Sequence, residues 1–206
     1  MATLALLAAC GTTASPSVAL FSGGEFSNWE LVARPGKSLE AVLTMGADGV
    51  IAVSGEPGGY FATRASYENY RLHVEWRWSG KPGNAGVLVN ISPDPVTGAW
   101  PRSLQIQTKA GFAGDVLPMA GASFAEPLST ASGAPVAVKA HTGVNSELPA
   151  GAWNACDIVN SHGTVEVRIN GVLQNSVTHV VPRMGRIGFQ LEGAPYELRH
   201  ATLAAL

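Results

Sequence analysis

An all-β fold, a sandwich or jelly roll of two antiparallel sheets, is what this sequence predicts. Three observations carry that prediction. Apolar residues alternate with a period of two along many short runs, turn residues separate those runs at regular intervals, and no long segment shows a helical period. Among 206 residues there are 24 glycines and 13 prolines, a supply suited to many turns. Hydrophobic residues make up 46% and charged residues 14%, which describes a globular chain and not a disordered one. The length suits one core and one all-β domain.

The elements follow in order. Val18 to Phe21 reads as a first strand, Ser22-Gly23-Gly24 as a turn, and Trp29 to Val32 as an extended piece. Asp48-Gly49 is a turn signal before Val50-Ile51-Ala52-Val53, and Gly58-Gly59 precedes Tyr60 to Thr63. Tyr70 to Trp78 is the organising strand: Tyr70, Leu72, Val74, Trp76 and Trp78 share one face, and Arg71, His73, Glu75 and Arg77 the other. Its polar face sets Glu75 and Arg77 beside large aromatics. That face reads either as the floor of a groove or as a solvated surface with an ordinary ion pair.

Gly80, Pro82 and Gly83 break the chain before a second apolar strand, Val87 to Ile91, and Pro93 to Pro101 is a loop. Ser103 to Thr108 alternates, with Gln105 and Gln107 on one face and Leu104 and Ile106 on the other. From Lys109 to Pro149 the periodicity fails apart from Val136-Ala137-Val138, and a segment this long without regular structure is expected to wall the groove. Strands resume at Trp153 to Val159, Thr164 to Ile169 and Val172 to Val177, the last two joined by the Asn170-Gly171 hairpin turn. Gly185 to Glu192 sets Ile187, Phe189 and Leu191 inward and Arg186, Gln190 and Glu192 outward, and Tyr196 to Leu203 closes the chain. Trp76, Trp78 and Trp153 read as core by their phase.

A net charge of −2 without a basic run argues against nucleic acid or an anionic membrane surface as a partner. Met1 to Ala9 is a short apolar run, and Leu7-Ala8-Ala9-Cys10 resembles the lipobox of bacterial lipoprotein signal peptides, although no Lys or Arg precedes it. The resemblance implies export to the periplasm or cell envelope, with the membrane reached only through a lipid anchor at Cys10. Residues 1–17 are therefore set apart as signal and tether, and 18–206 as a single sandwich domain. Cys156 lies in an alternating run without a His or Cys at metal spacing, so it is expected in the core.

Several blocks occur in one order: Leu20-Phe21-Ser22-Gly23 with Trp29, Tyr67 to Arg77, Asn84-Ala85-Gly86-Val87, Ser103 to Gln107, Gly111 to Asp115, Asn145-Ser146-Glu147, Gly151 to Asn154, Asn170-Gly171, Gly185 to Glu192, and Glu197 to His200. Together they resemble the 3-keto-disaccharide hydrolase domain, a family long known only as a domain of unknown function. Ala152 and His200 depart from its pattern, standing where Glu and Asn are usual. The resemblance covers about Leu20 to Leu206. It implies a concanavalin-like jelly roll of the lectin and glucanase type. It also implies cleavage of glycosides already oxidised to a ketone at C3 of the sugar, or non-catalytic carbohydrate binding on the same fold.

A C3 ketone acidifies the proton on C2. A base that removes this proton allows the C1 oxygen to be expelled, and the site then needs an acid for that oxygen and donors to the enolate. Glu75 and Glu192 are the candidate carboxyls on the groove, with His73 as a candidate base. Arg77 and Arg199 would hold the enolate or pair with the carboxyls. Asn84, Gln105, Gln107 and Gln190 would bind sugar hydroxyls, Trp100 would stack on the ring, and Asp115 would line the site from the long segment. His141, in that same segment, is a second candidate base or a metal ligand. A divalent ion on Glu, Asp and His is compatible with these residue types, and no spacing demands one.

Overall fold

The computed structural model describes residues 16–22, 26–33, 37–94 and 98–206. Cys10 and the apolar run before it lie outside the described residues, as does the turn at Gly23-Gly24. The strands are β1 (Val18–Ala19), β2 (Trp29–Ala33), β3 (Leu43–Met45), β4 (Ile51–Val53), β5 (Gly59–Thr63), β6 (Tyr70–Trp78), β7 (Gly86–Ile91) and β8 (Ser103–Gln107). They continue with β9 (Val116–Met119), β10 (Asn154–Ser161), β11 (Thr164–Ile169), β12 (Val172–Val177), β13 (Arg186–Leu191) and β14 (Tyr196–Ala205). One turn of 3-10 helix, Leu39–Ala41, precedes β3.

Two antiparallel sheets pack face to face. The larger runs β12-β11-β10-β6-β14-β4-β3 with β1 also on β14, and the smaller runs β2-β5-β13-β7-β8-β9. The alternation in Tyr70–Trp78 places β6 mid-sheet between β10 and β14. Its five inward side chains are buried, and across from them lie Val87 and Val89 of β7, Leu104 and Ile106 of β8, and Ile187 and Phe189 of β13. Cys156 is buried in this core as a free thiol, and burial pushes its pKa up, so it is an unreactive packing residue.

The sheets differ in their outer faces, and this difference positions the site. Along β6 buried residues alternate with partly open ones, so that outer face is wet. Every residue of β7 and of β8 is buried, so both faces of the smaller sheet are covered there. A second small cluster, Tyr60, Ala62, Leu88 and Ile91, lies on its outer side with Trp100 packed against it. The rest of the cover comes from the segment after β8.

An aromatic group closes one end of the core. Phe21 stacks on Trp29 with ring centroids 4.3 Å apart, and Phe61 packs on Phe189 at 5.4 Å. The Trp29 indole N–H donates to the Leu20 carbonyl at 3.1 Å, which satisfies its one polar atom. Phe61 is fully buried at the centre of this group. Truncating it leaves a cavity among rings that cannot collapse into it, so Phe61→Ala is expected to cost about 3–5 kcal/mol, read as a lowered midpoint in chemical denaturation.

Two expectations are corrected. Trp153 is not core: it is half-buried on the outer face of the larger sheet, with the Arg77 and Arg199 guanidinium groups 4.6 and 4.2 Å from its ring centroid. It precedes β10 by one residue, and Asn154, not Trp153, takes the inward position. Within the irregular middle of the chain, Val116–Met119 pairs with β8 as a real strand, which its single proline and short length concealed.

Candidate functional site

The outer face of β6 carries an ion-pair network. Glu75 accepts from Arg199 at 2.6 Å and sits 3.0 Å from the His200 ring nitrogen, while Arg77 pairs with Glu197. His73 reaches Asp157 at 2.7 Å. A bulge in β14 explains the double contact with Glu75: the register with β6 shifts between Arg199 and Thr202, and His200 has φ of 50°. Successive side chains then fall on one face instead of two. Burial alone would raise the Glu75 carboxyl, but hydrogen bonds from His200 and Arg199 outweigh it and hold the group below its ordinary value. Glu75, His73, Arg77 and Arg199 were expected on the groove, and the structure corrects this. They belong to the larger sheet, and the core separates them from the smaller one. The reading that fits them is the solvated face with ordinary ion pairs.

This network gives a pH prediction. The hydrogen bond to Asp157 raises the His73 imidazole above its ordinary value. Its contribution to stability is therefore present below the unfolded-state pKa and is lost as pH rises through the folded-state one. Asp157→Asn is expected to lower stability at mildly acidic pH and to converge on the parent protein above the raised pKa, checked by denaturation at a series of pH values.

The cavity lies on the opposite side of the molecule, over the outer face of the smaller sheet. It holds about 550 Å³. Gln105 and Gln107 of β8 and Gln190 of β13 form its floor because each stands out of phase with its apolar neighbours. Gln105 Nε2 donates to Gln107 Oε1 at 2.9 Å and to Gln190 Oε1 at 3.0 Å. That arrangement leaves Gln105 Oε1 and the NH2 groups of Gln107 and Gln190 without a protein partner among the described residues, ready for a polar ligand. Gly86 makes it fit: a Cβ there would stand 2.8 Å from both Cγ and Nε2 of Gln105.

Asn84 and Glu192 stand at one margin. Asn84 Nδ2 donates to Glu192 Oε2 at 2.7 Å. The Glu192 side chain opens to solvent at the cavity mouth, yet the protein around it is enough for desolvation to raise its carboxyl above the ordinary value. The Asn84 hydrogen bond and the charge of Lys109 offset only part of that rise.

The segment from Lys109 to His141 is the wall. Its last residue faces the cavity and is anchored from behind: Asp115 Oδ1 accepts from the His141 backbone N–H at 2.8 Å and lies 2.6 Å from its ring Nδ1. A carboxylate at Nδ1 fixes the ring proton there and leaves Nε2 as the basic nitrogen. The Asp115 side chain is only 6% exposed, so it serves the histidine more than the ligand. Backbone bonds between Val116 and Lys139 pin the returning chain to β9. Glu147, whose carboxyl burial raises, accepts from the Gly111 N–H at 2.7 Å and so fixes the tip of the loop beside Phe112.

Of the expected groove residues, Glu192, Asn84, Gln105, Gln107, Gln190, Asp115 and Trp100 line this one cavity together with His141. Lys109, Phe112 and the aliphatic side chains of β9 were not foreseen. Only the Val136-Val138 alternation signalled the aliphatic part of the wall. Among the described residues, no group of three or more His, Cys, Asp or Glu side chains is arranged to hold a metal ion.

Residues 16–204 match the sequence profile of the 3-keto-alpha-glucoside-1,2-lyase-like domain. The chain belongs to this family. The match bears out the kinship drawn from the ordered motifs, and it places the protein among carbohydrate-active domains. No curated protein sequence matches this family member. A crystal structure from Parabacteroides distasonis ATCC 8503, provisionally assigned as a glycosyl hydrolase, superposes with a TM-score of 0.68 at 19% identity, covering 92% of this chain and 94% of that one. The Bacillus licheniformis beta-glucanase gives 0.62 at 13% identity over 95% and 99%. The carbohydrate-binding module CBM66 from Bacillus subtilis gives 0.59 at 10% over 86% and 96%. At such identities the likeness is one of fold, and the fold is the jelly roll.

Proposed function

We propose that this protein cleaves the glycosidic bond of 3-keto-glycosides by elimination across C1 and C2. One observation carries the reading. A histidine oriented by a carboxylate, a carboxyl raised by burial, and a floor of linked amides whose remaining polar atoms have no protein partner among the described residues share one cavity. In this reading the glycone lies on the amides. His141 Nε2 takes the C2 proton, and the electron pair passes into the C3 ketone. The NH2 groups of Gln107 and Gln190 are the candidate donors to the enolate oxygen. As the enolate collapses, the C1–O bond breaks, and Glu192 gives its proton to the departing oxygen. Release of the enone makes the protein a lyase. Addition of water across the same double bond, with the proton flow reversed, makes it a hydrolase.

Two carboxyls flanking the scissile bond, the ordinary glycosidase arrangement, are a poorer fit. Asp115 is committed to His141, and the remaining carboxyl at the cavity is Glu192. A carbohydrate partner and export with lipid attachment at Cys10 belong to the same proposal. Mass spectrometry of the protein recovered from membranes tests the anchor.

The direct test is incubation with a 3-keto-glucoside, followed by detection of the released aglycone and of the enone or 3-keto sugar. Release supports the reading. Saturable sugar binding without release would instead make the protein a carbohydrate-binding module.

A further inference from the structure

A second cavity, of about 590 Å³, adjoins the first, and the two share Trp100 and Glu192. Its lining differs in kind. Beyond Trp100 its uncharged lining is Val32, Pro57, Ala99, Leu191 and the backbone at Gly58, Gly59 and Gly98. Its carboxylates are Glu56, which is exposed at the edge, and Glu192 itself. Among the described residues, no amide or hydroxyl side chain lines it. Trp100 is held between the two cavities by packing on the cluster of Tyr60, Ala62, Leu88 and Ile91.

We infer that this second cavity is the leaving-group subsite, and that it takes a flat, apolar aglycone of the aryl type and not a second sugar. The inference rests on the reading of Glu192 as the acid that protonates the departing oxygen. That oxygen joins the glycone to the aglycone, so the acid must stand where the two parts meet, and Glu192 borders both spaces. The groups suited to sugar hydroxyls, and His141, all border the first cavity, which assigns the glycone there. The aglycone then extends past Trp100. Among the described residues a sugar in that space would find partners for its hydroxyls only in the Glu56 and Glu192 carboxyls and the peptide groups, and each hydroxyl left unpaired carries a penalty. A planar ring would instead lie against peptide planes and the indole, where no β-carbon from Gly58 or Gly59 holds it off.

Gly58 provides the test. A Cβ there would meet only the Leu191 carbonyl, at 4.0 Å, and Gly58 is not among the residues of positive φ, so Gly58→Leu fills the space without backbone strain. The kinetic arm compares 4-nitrophenyl and methyl 3-keto-glucosides. The ratio of their kcat/KM values is expected to fall by about tenfold or more in Gly58→Leu, the discrimination one occupied apolar pocket supplies. The methyl substrate serves as the control for folding, and Ala99→Leu, at another lining residue, is expected to act in the same direction. An unchanged ratio in both variants overturns the subsite while leaving the lyase reading intact.

A binding arm separates the two failures. Fluorescence anisotropy of 4-methylumbelliferone should show saturable binding to the parent protein that Gly58→Leu weakens by about tenfold or more. If neither glycoside is turned over, the lyase reading falls, and this arm alone decides: binding lost in the variant upholds an aryl subsite, whereas no binding, or binding the variant leaves unchanged, overturns it.

Discussion

Glu192→Gln is expected to lower turnover of a 3-keto-glycoside with a poor leaving group by about 10²- to 10⁴-fold, the usual worth of a positioned general acid. The substitution keeps the shape and a hydrogen bond to Asn84, whose amide now donates to Glu192 at 2.7 Å. KM should therefore move little. The dependence on leaving group is the sharper readout. A nitrophenolate departs without protonation, so the loss should shrink toward unity for that substrate, whereas a merely structural role would slow both substrates alike. The pH profile follows from the raised carboxyl. An acid must be protonated to act, so the rate for the poor leaving group should fall as pH rises through the Glu192 pKa, which lies above the ordinary carboxylate value, and this limb should vanish in the variant. Glu75→Gln is the contrast. It lies on the far face in contact with Arg199 and His200. The pair is part-buried and bears on stability rather than on the cavity, so turnover of the folded variant should stay within about twofold of the parent.

The contrast between these two glutamates also marks what was legible in the sequence. Both stand on the hydrophilic side of an alternating strand, and period two assigns each to a face of its own sheet. It does not say which sheet closes against a wall. That depends on pairing: β6 is flanked by β10 and β14, whereas β8 and β13 are both neighbours of β7. The difference left a local trace. In Ser103–Gln107 both glutamines are nearly as buried as Leu104 and Ile106, and a glutamine buried in a sheet covered on both sides needs a hydrogen-bond partner that water does not supply. On β6 the companions of Glu75 are Arg71, His73 and Arg77, ions that water prefers. The long segment was legible as a wall because its Gly, Ser and Pro content breaks the periodicity over most of its length, which also hid β9 within it. Its two fixed points were not, since Asp115 and His141 meet only through the Val116–Lys139 backbone pairing, 26 residues apart in sequence. Trp153 misled by its phase, because the turn at Gly151 and Ala152 resets the alternation before β10 begins.

His141→Gln should reduce cleavage by about 10³-fold or more whatever the leaving group, because abstraction of the C2 proton precedes every later step. Glutamine retains a polar amide at the wall but has no basic nitrogen. Asp115→Asn should act through the histidine and cost about 10- to 10³-fold, since an amide cannot restrict the ring proton to Nδ1 as a carboxylate oxygen at 2.6 Å does. Proton exchange isolates this step from bond cleavage. A free 3-keto-glucose has the acidic C2 proton but no aglycone to lose, so in D2O the parent protein should catalyse its exchange, followed by the loss of the C2 proton signal in NMR. Glu192→Gln should retain that exchange, because its proton is needed only at the departing oxygen. His141→Gln should abolish it, and Asp115→Asn should slow it in proportion to cleavage. Exchange that survives in His141→Gln and disappears in Glu192→Gln would reverse the two roles, with the carboxylate as base and the histidine as acid. The position of Glu192 at the boundary between two cavities favours its assignment as the acid.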